Sequence, residues 1–163
     1  MTKFLGQNTG QVIQSLQAGA PIGGVSSLYK DGTDRVLVRD QVVTAGNVIG
    51  DLVSLGTFRP TAYLDPFLSS FSYDALGTGV TLNIGDAAHP VAMRVAFPAA
   101  TADQTLIMIV PTMPAALMVA APLWQRLGYA APPGAPIELL AFIAGANPVN
   151  GARLSWQIFG RNV

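Results

Sequence analysis

The segment LGTGVTLNIGD, residues 76–86, decides the fold class. Its centre alternates Val80, Thr81, Leu82, Asn83 and Ile84, which puts the apolar side chains on one face of an extended chain and the polar ones on the other. Gly77 and Gly79 ahead of it and Gly85-Asp86 behind it are turn formers that stop the strand at both ends. The spacing predicts a short, half-buried strand between tight turns, and related units lie on both sides of it.

Toward the C-terminus the same pattern predicts strands over residues 91–97, 106–110, 117–121, 137–143 and 154–159. Toward the N-terminus, residues 57–64 and 67–73 read as aromatic-rich strands split by Asp65-Pro66. Residues 41–56 carry Val43, Val48, Ile49, Leu52, Val53 and Leu55, interrupted by Gly46, Gly50 and Asp51, which fits two short strands or one bulged strand. The Asp31-Gly32 turn signal leads into Arg35-Val36-Leu37-Val38-Arg39, a further strand. Strands of about five to eight residues, with turns roughly every 8–12, predict an all-β sandwich or barrel. One short helix is expected over residues 122–129, with Pro122 near its first turn and Gly128 near its end.

No repeat or linker divides the chain, so one β domain, residues 26–163, follows an N-terminal arm, residues 1–25. The arm holds a single charge, Lys3, a weakly helical piece at Val12, Ile13 and Leu16, and an AGAPIGG terminus at residues 18–24 that cannot continue a helix. It is either a disordered tail or an arm that orders against a neighbouring subunit. Phe4, Leu5, Val12, Ile13 and Leu16 are its candidate interface residues, because apolar side chains there have no core of their own.

Composition narrows the function. Charged residues are 11% of 163, against about 25% in an ordinary soluble domain, while 50% are hydrophobic. So little charge suggests that part of the surface lies against other subunits. A formal net charge of zero gives no electrostatic footprint for nucleic acid. The absence of cysteine excludes disulfides, thiolate metal sites and a cysteine nucleophile, and one histidine, His89, excludes a His-rich metal site within one chain. No signal peptide is expected at the polar N-terminus. The uncharged stretch 104–125 contains Pro111, Pro114 and Pro122 and reads as two buried strands rather than a membrane span.

Chemistry is thinly supplied. Most aspartates stand where turns want them: Asp31 before Gly, Asp65 before Pro, Asp74 and Asp86 beside glycines. His89 precedes Pro90 in an expected surface turn, and no nucleophile-elbow motif accompanies it. Gly77, Gly79 and Gly85 lack phosphate-loop spacing and lead into a strand. A calcium site from Asp74 and Asp86 lacks a spaced Asp run. Trp124 and Trp156 fit a sugar platform less well than core packing. No catalytic residue, cofactor or metal is therefore expected.

The segment GDLVSLGTFRPTAYLDPFLSSFSYDALGTGVTLNIGD, residues 50–86, resembles the body of small virion proteins of tailed bacteriophages. The later passage PLWQ, LGY, PG and I.L, at residues 122–125, 127–129, 133–134 and 137–139, followed by a closing strand over residues 152–159, is similar to their C-terminal part. The resemblance runs from about Val42 to the end of the chain. It implies a capsid decoration (cement) protein with a jelly-roll-like antiparallel β-sandwich. Such a protein is non-enzymatic, sits on the capsid exterior, contacts the major capsid protein and associates with itself as a dimer or trimer. The arm departs from that pattern and would equally suit a head–tail connector or tail component. A carbohydrate- or receptor-binding sandwich of a phage tail or fibre is the alternative.

Overall fold

The computed structural model describes residues 3–4, 35–106 and 120–161. Its strands are β1 (Lys3–Phe4), β2 (Arg35–Val43), β3 (Leu52–Phe58), β4 (Tyr63–Leu64), β5 (Ser70–Tyr73), β6 (Thr81–Gly85), β7 (Arg94–Pro98), β8 (Asp103–Leu106), β9 (Ile137–Ala144) and β10 (Arg153–Arg161). A single helical turn, α1 (Leu123–Arg126), lies between β8 and β9.

The strands form two sheets, ordered β1-β3-β9-β6-β7 and β2-β10-β5-β8, with β4 added to β10. Set aside the two-residue strands β1 and β4, and eight remain. The first pairs with the last (β2 with β10), the second with the seventh (β3 with β9), the third with the sixth (β5 with β8) and the fourth with the fifth (β6 with β7), all antiparallel. This is one long hairpin, with β6 and β7 at its tip, rolled up until β10 meets β5 and β9 meets β6. It is the strand order of a jelly roll, as the resemblance implied.

Inward-facing residues fill the space between the sheets: Val53 and Leu55 from β3, Leu82 and Ile84 from β6, Leu139, Ala141 and Ile143 from β9, Phe71 from β5, and Leu154, Trp156 and Ile158 from β10. Trp156 ties the layers together. Its indole stacks on Phe71 at 6.3 Å between centroids, and its Nε1–H donates across the sandwich to the Leu55 carbonyl at 2.9 Å.

Several boundaries differ from the expected ones. Residues 57–64 are not one strand: Pro60 interrupts the ladder, Ala62 N–H closes a turn onto the Arg59 carbonyl at 3.0 Å, and only Tyr63–Leu64 becomes extended again. Phe67 and Leu68 are not in a strand either. The Asp65 carboxylate accepts both of their N–H groups, at 2.8 and 2.9 Å, and this Asx-type turn throws both side chains outward. Residues 41–56 supply the end of β2 and most of β3 with a loop between, and β3 carries a register shift between Ser54 and Gly56. β7 begins at Arg94 rather than Val91, because the preceding turn consumes residues 86–92.

Of the strand expected at 106–110, only Leu106 is described, as the end of β8. Of 117–121, only Ala120 and Ala121 are, and neither lies in a strand. The Asp31-Gly32 turn and the boundary between arm and sandwich fall outside the described residues. Among the described residues no helix is long and apolar enough to cross a membrane.

The role of Trp156 is measurable by chemical denaturation. Trp156→Ala should cost about 3–5 kcal/mol through the cavity it leaves. Trp156→Phe, which keeps most of the packing but strips the Leu55 carbonyl of its donor, should cost about 1–3 kcal/mol.

Candidate interaction surfaces

Because successive strands run in opposite directions, their connections gather at two ends. At one end meet the loops of residues 44–51, 74–80, 99–102 and 145–152, and backbone bonds join them: Val149 N–H to Leu76 O, Leu76 N–H to Ala99 O, and Ala99 N–H to Val80 O. Side chains lock the first and last of these loops together. Buried Thr44 donates its hydroxyl to the Val149 carbonyl at 2.6 Å and accepts the Ala152 N–H at 3.0 Å. Asn150 accepts Gly46 N–H at 2.7 Å, Asn147 accepts Ile49 N–H at 2.9 Å, and Asn47 accepts Ala45 N–H at 2.9 Å. The buried Asp51 carboxylate takes Val48 N–H at 3.0 Å.

With the backbone so occupied, four β-branched side chains point into solvent: Val43, Val48, Ile49 and Val149, 44–54% exposed. Residues 41–50 except Thr44, Asn47 and Gln41 are apolar or glycine, and Residues 139–152 likewise carry no Asp, Glu, Lys, Arg or His, while exposed Arg153, the ladder partner of Val43, and exposed Asp74 in the adjoining loop bring charge to the same end. The sequence assigned Val48 and Ile49 to strand interiors. The signals for a loop were Gly46-Asn47 and Gly50-Asp51 on either side.

The opposite end is chemically mixed. Here α1 packs against the β3–β4 turn, with Leu123 N–H on Ala62 O and Trp124 N–H on Pro60 O. Gly128, at φ +90, ends this single turn and directs Tyr129 N–H back to Trp124 O. Arg126 is buried; its Nε–H donates to Ala121 O at 3.0 Å, and both terminal nitrogens lack a hydrogen-bond partner among the described residues. Burial pushes this guanidinium down to about 10, while the Asp65 carboxylate acts the other way. Exposed Phe67 and Leu68 lie in the β4–β5 turn.

Nearby, Asp86, His89 and Tyr129 form a cluster. Buried Asp86 accepts the His89 backbone N–H at 2.6 Å and a short bond from the Tyr129 hydroxyl. The His89 ring meets Tyr129 edge-on at 4.4 Å, and its Nδ1 lies 3.3 Å from Asp86 Oδ1, an ion pair when the imidazole is protonated. Gly85 permits this tight turn, because a Cβ there would run into the His89 carbonyl oxygen. His89 is thus the turn histidine expected from its place before Pro90. The partnership with Tyr129, 40 residues on, left no mark in the sequence.

The other flagged residues have structural employment. Trp156 is buried in the core, and Trp124 packs half-buried against it. Asp74 accepts the Arg153 N–H at 2.9 Å, and the lone glutamate, Glu138, accepts the Ser54 hydroxyl at 2.6 Å. Among the described residues no group of three His, Cys, Asp or Glu could hold a metal.

Of the arm's candidate interface residues, only Phe4 is described: Lys3 and Phe4 pair in parallel with Leu52 and Val53 on the outer edge of the first sheet. Leu5, Val12, Ile13 and Leu16 lie outside the described residues. The other edge of that sheet is blunted. In β7, Ala96 takes φ +44, Pro98 ends the strand, and the pairing with β6 shifts between Leu82 and Ile84.

Two titration and stability tests follow from the mixed end. The hydrogen bond to Asp86, with burial and the Asp86 charge added, pushes the Tyr129 phenol up to about 12. A raised acid holds its proton longer when folded, so its stabilisation is complete below pH 10 and is lost as pH rises through about 12. Ultraviolet titration should find a late tyrosine, Tyr129, that returns toward pH 10 in Asp86→Asn, while Tyr73, raised by burial, is unaffected by that change. Arg126 acts in the opposite sense, since a base with a lowered pKa makes folding costlier wherever it is protonated. Arg126→Met should leave stability unchanged or raise it by about 1–3 kcal/mol in urea unfolding.

No protein-family model matches the chain, and comparison with curated proteins gives no match. Among solved structures the chain is similar to one from the capsid asymmetric unit of cyanophage Pam1, with a TM-score of 0.51 and 14% sequence identity, over 90% of this chain and 96% of that one. At that identity the likeness is one of fold, and it embraces nearly the whole length of both chains.

Proposed function

We propose that this is a non-enzymatic virion structural protein of a tailed phage, a capsid decoration or cement protein that binds the outside of the major capsid protein lattice and stabilises it as a homo-oligomer. The observation that carries this reading is the likeness of fold, over 90% of this chain, to a chain from a phage capsid asymmetric unit. The composition supports it. A subunit with 11% charged residues and zero net charge can pack against copies of itself and against a shell without desolvating many ions. Affinity in such a role comes from many modest contacts engaged at once on a repeating lattice.

The arm has a part in this role. Lys3–Phe4 occupies the edge of β3 at Leu52 and Val53, and in an assembly a neighbour's β3 offers the same register at high effective concentration. Phe4, Leu5, Val12, Ile13 and Leu16 remain the arm residues proposed to touch neighbouring subunits.

Expanded, empty phage heads lacking this protein provide the test. The full chain should co-sediment with them at a saturating, fixed ratio to the shell protein and raise their resistance to heat; heads that neither bind it nor gain stability would refute the role. Deleting residues 1–24 should preserve the cooperative unfolding of the sandwich while weakening head binding at least tenfold. Normal binding by the truncated chain would remove the arm from the interface.

A further inference from the structure

We propose that Asn150 is a self-modification site, where the side-chain amide is lost through a succinimide formed with Gly151, and that the clamp between the loops of residues 44–51 and 145–152 sets the rate of this loss. Such chemistry is independent of the decoration role above.

Ring closure requires a backbone nitrogen, stripped of its proton, to reach the Cγ of the asparagine before it. Most asparagines here are poorly placed for that. Asn8, Asn47, Asn83 and Asn162 precede the β-branched Thr9, Val48, Ile84 and Val163, which crowd the attacking nitrogen, and Asn147 precedes Pro148, which has no proton to give up. Asn150 precedes Gly151, which has no Cβ, and both are exposed in the turn that leads into β10.

The chemistry needs only water. The Gly151 nitrogen yields its proton to hydroxide and bonds to Asn150 Cγ; the Cγ–Nδ2 bond breaks, and the amide nitrogen leaves as ammonia with a proton from water. A second water opens the ring at either carbonyl and leaves aspartate or isoaspartate. In the isoaspartyl product the backbone runs through the former side chain, so the turn is longer and no longer matches the loop it faces.

The fold holds both reacting groups. Gly151 N–H donates to the Thr44 carbonyl at 2.8 Å, which commits the proton that must leave, and Asn150 Oδ1 accepts Gly46 N–H at 2.7 Å, which fixes the amide that must be attacked. Thr44 also grips both flanks of the pair: its hydroxyl donates to the Val149 carbonyl at 2.6 Å and accepts Ala152 N–H at 3.0 Å. Asn147 ties the same two loops again by accepting Ile49 N–H at 2.9 Å. Cyclisation therefore waits for a local opening that breaks these bonds, and the folded chain reacts at the rate of the free segment multiplied by the fraction of time the clamp is open.

Peptide mapping of the full chain, aged at mildly alkaline pH in buffer and in guanidinium, tests this. The amide-to-acid mass gain and isoaspartate should appear in the Asn150 peptide ahead of every other asparagine peptide, and about tenfold or more slowly in the folded chain than in the unfolded one. Thr44→Val, which removes the hydroxyl, should raise the folded-state rate several-fold and leave the unfolded-state rate unchanged, while Thr44→Ser stays near the wild type. Asn147→Ala, a change at an exposed residue, should act in the same direction, and it carries the test alone if unfolding curves show that Thr44→Val does not fold. Asn150→Gln should abolish the signal. Equal rates in the folded and unfolded chains would overturn the proposal, as would wild-type rates in the loosened variants or earlier modification at another asparagine.

Discussion

The pairing of β10 with β2 is the contact on which the rest of the sandwich depends. These are the last and first of the eight main strands, and they run antiparallel in register from Arg153–Val43 to Arg161–Arg35. Once they meet, the chain between them is a closed loop, and the remaining strands fall into nested pairs down to β6 and β7 at the tip. β10 then works on two more neighbours. Its other edge pairs with β5 and β4, and its Trp156 reaches through the core to the Leu55 carbonyl in the opposite sheet. The arrangement is costly to complete, because the β2–β10 ladder closes a loop of more than a hundred residues, whereas β6 and β7 pair locally.

A rolled hairpin also sorts its loops. Connections alternate between the two ends, so residues far apart in the chain become neighbours. Thr44 meets Val149, and Asp86 meets Tyr129. The two ends then differ in kind. One is laced by Asn, Thr and Asp side chains acting on backbone N–H groups, which leaves its valines and isoleucine facing outward. The other buries an arginine and an aspartate beneath a single helical turn and keeps its partners polar.

The local grammar was well legible. Alternation at Val80 to Ile84, at 137–143 and at 154–159 marks β6, β9 and β10 nearly to the residue, and Pro122 and Gly128 bracket the single helical turn. Errors arose where a side chain or ring competed with the ladder. Pro60 removed a donor from an otherwise strand-like run, and the Asp65 carboxylate captured two N–H groups and held Phe67 and Leu68 in a turn. Val48 and Ile49 are strand formers by type, but the turn signals on either side of them mark a loop, in which Asp51 takes the Val48 N–H and the distant Asn147 takes that of Ile49.

Residue order alone establishes that this chain is built of short strands and tight turns, is poor in charge and lacks cysteine. Those properties depend on period, turn chemistry and composition, which act over a few residues. The pairing of distant strands settles that the chain rolls into a jelly roll, which apolar residues enter the core, and which remain outside. Burial depends on strand pairing across most of the chain, and a β-branched residue obeys the same alternation whether the sheet covers it or a loop exposes it.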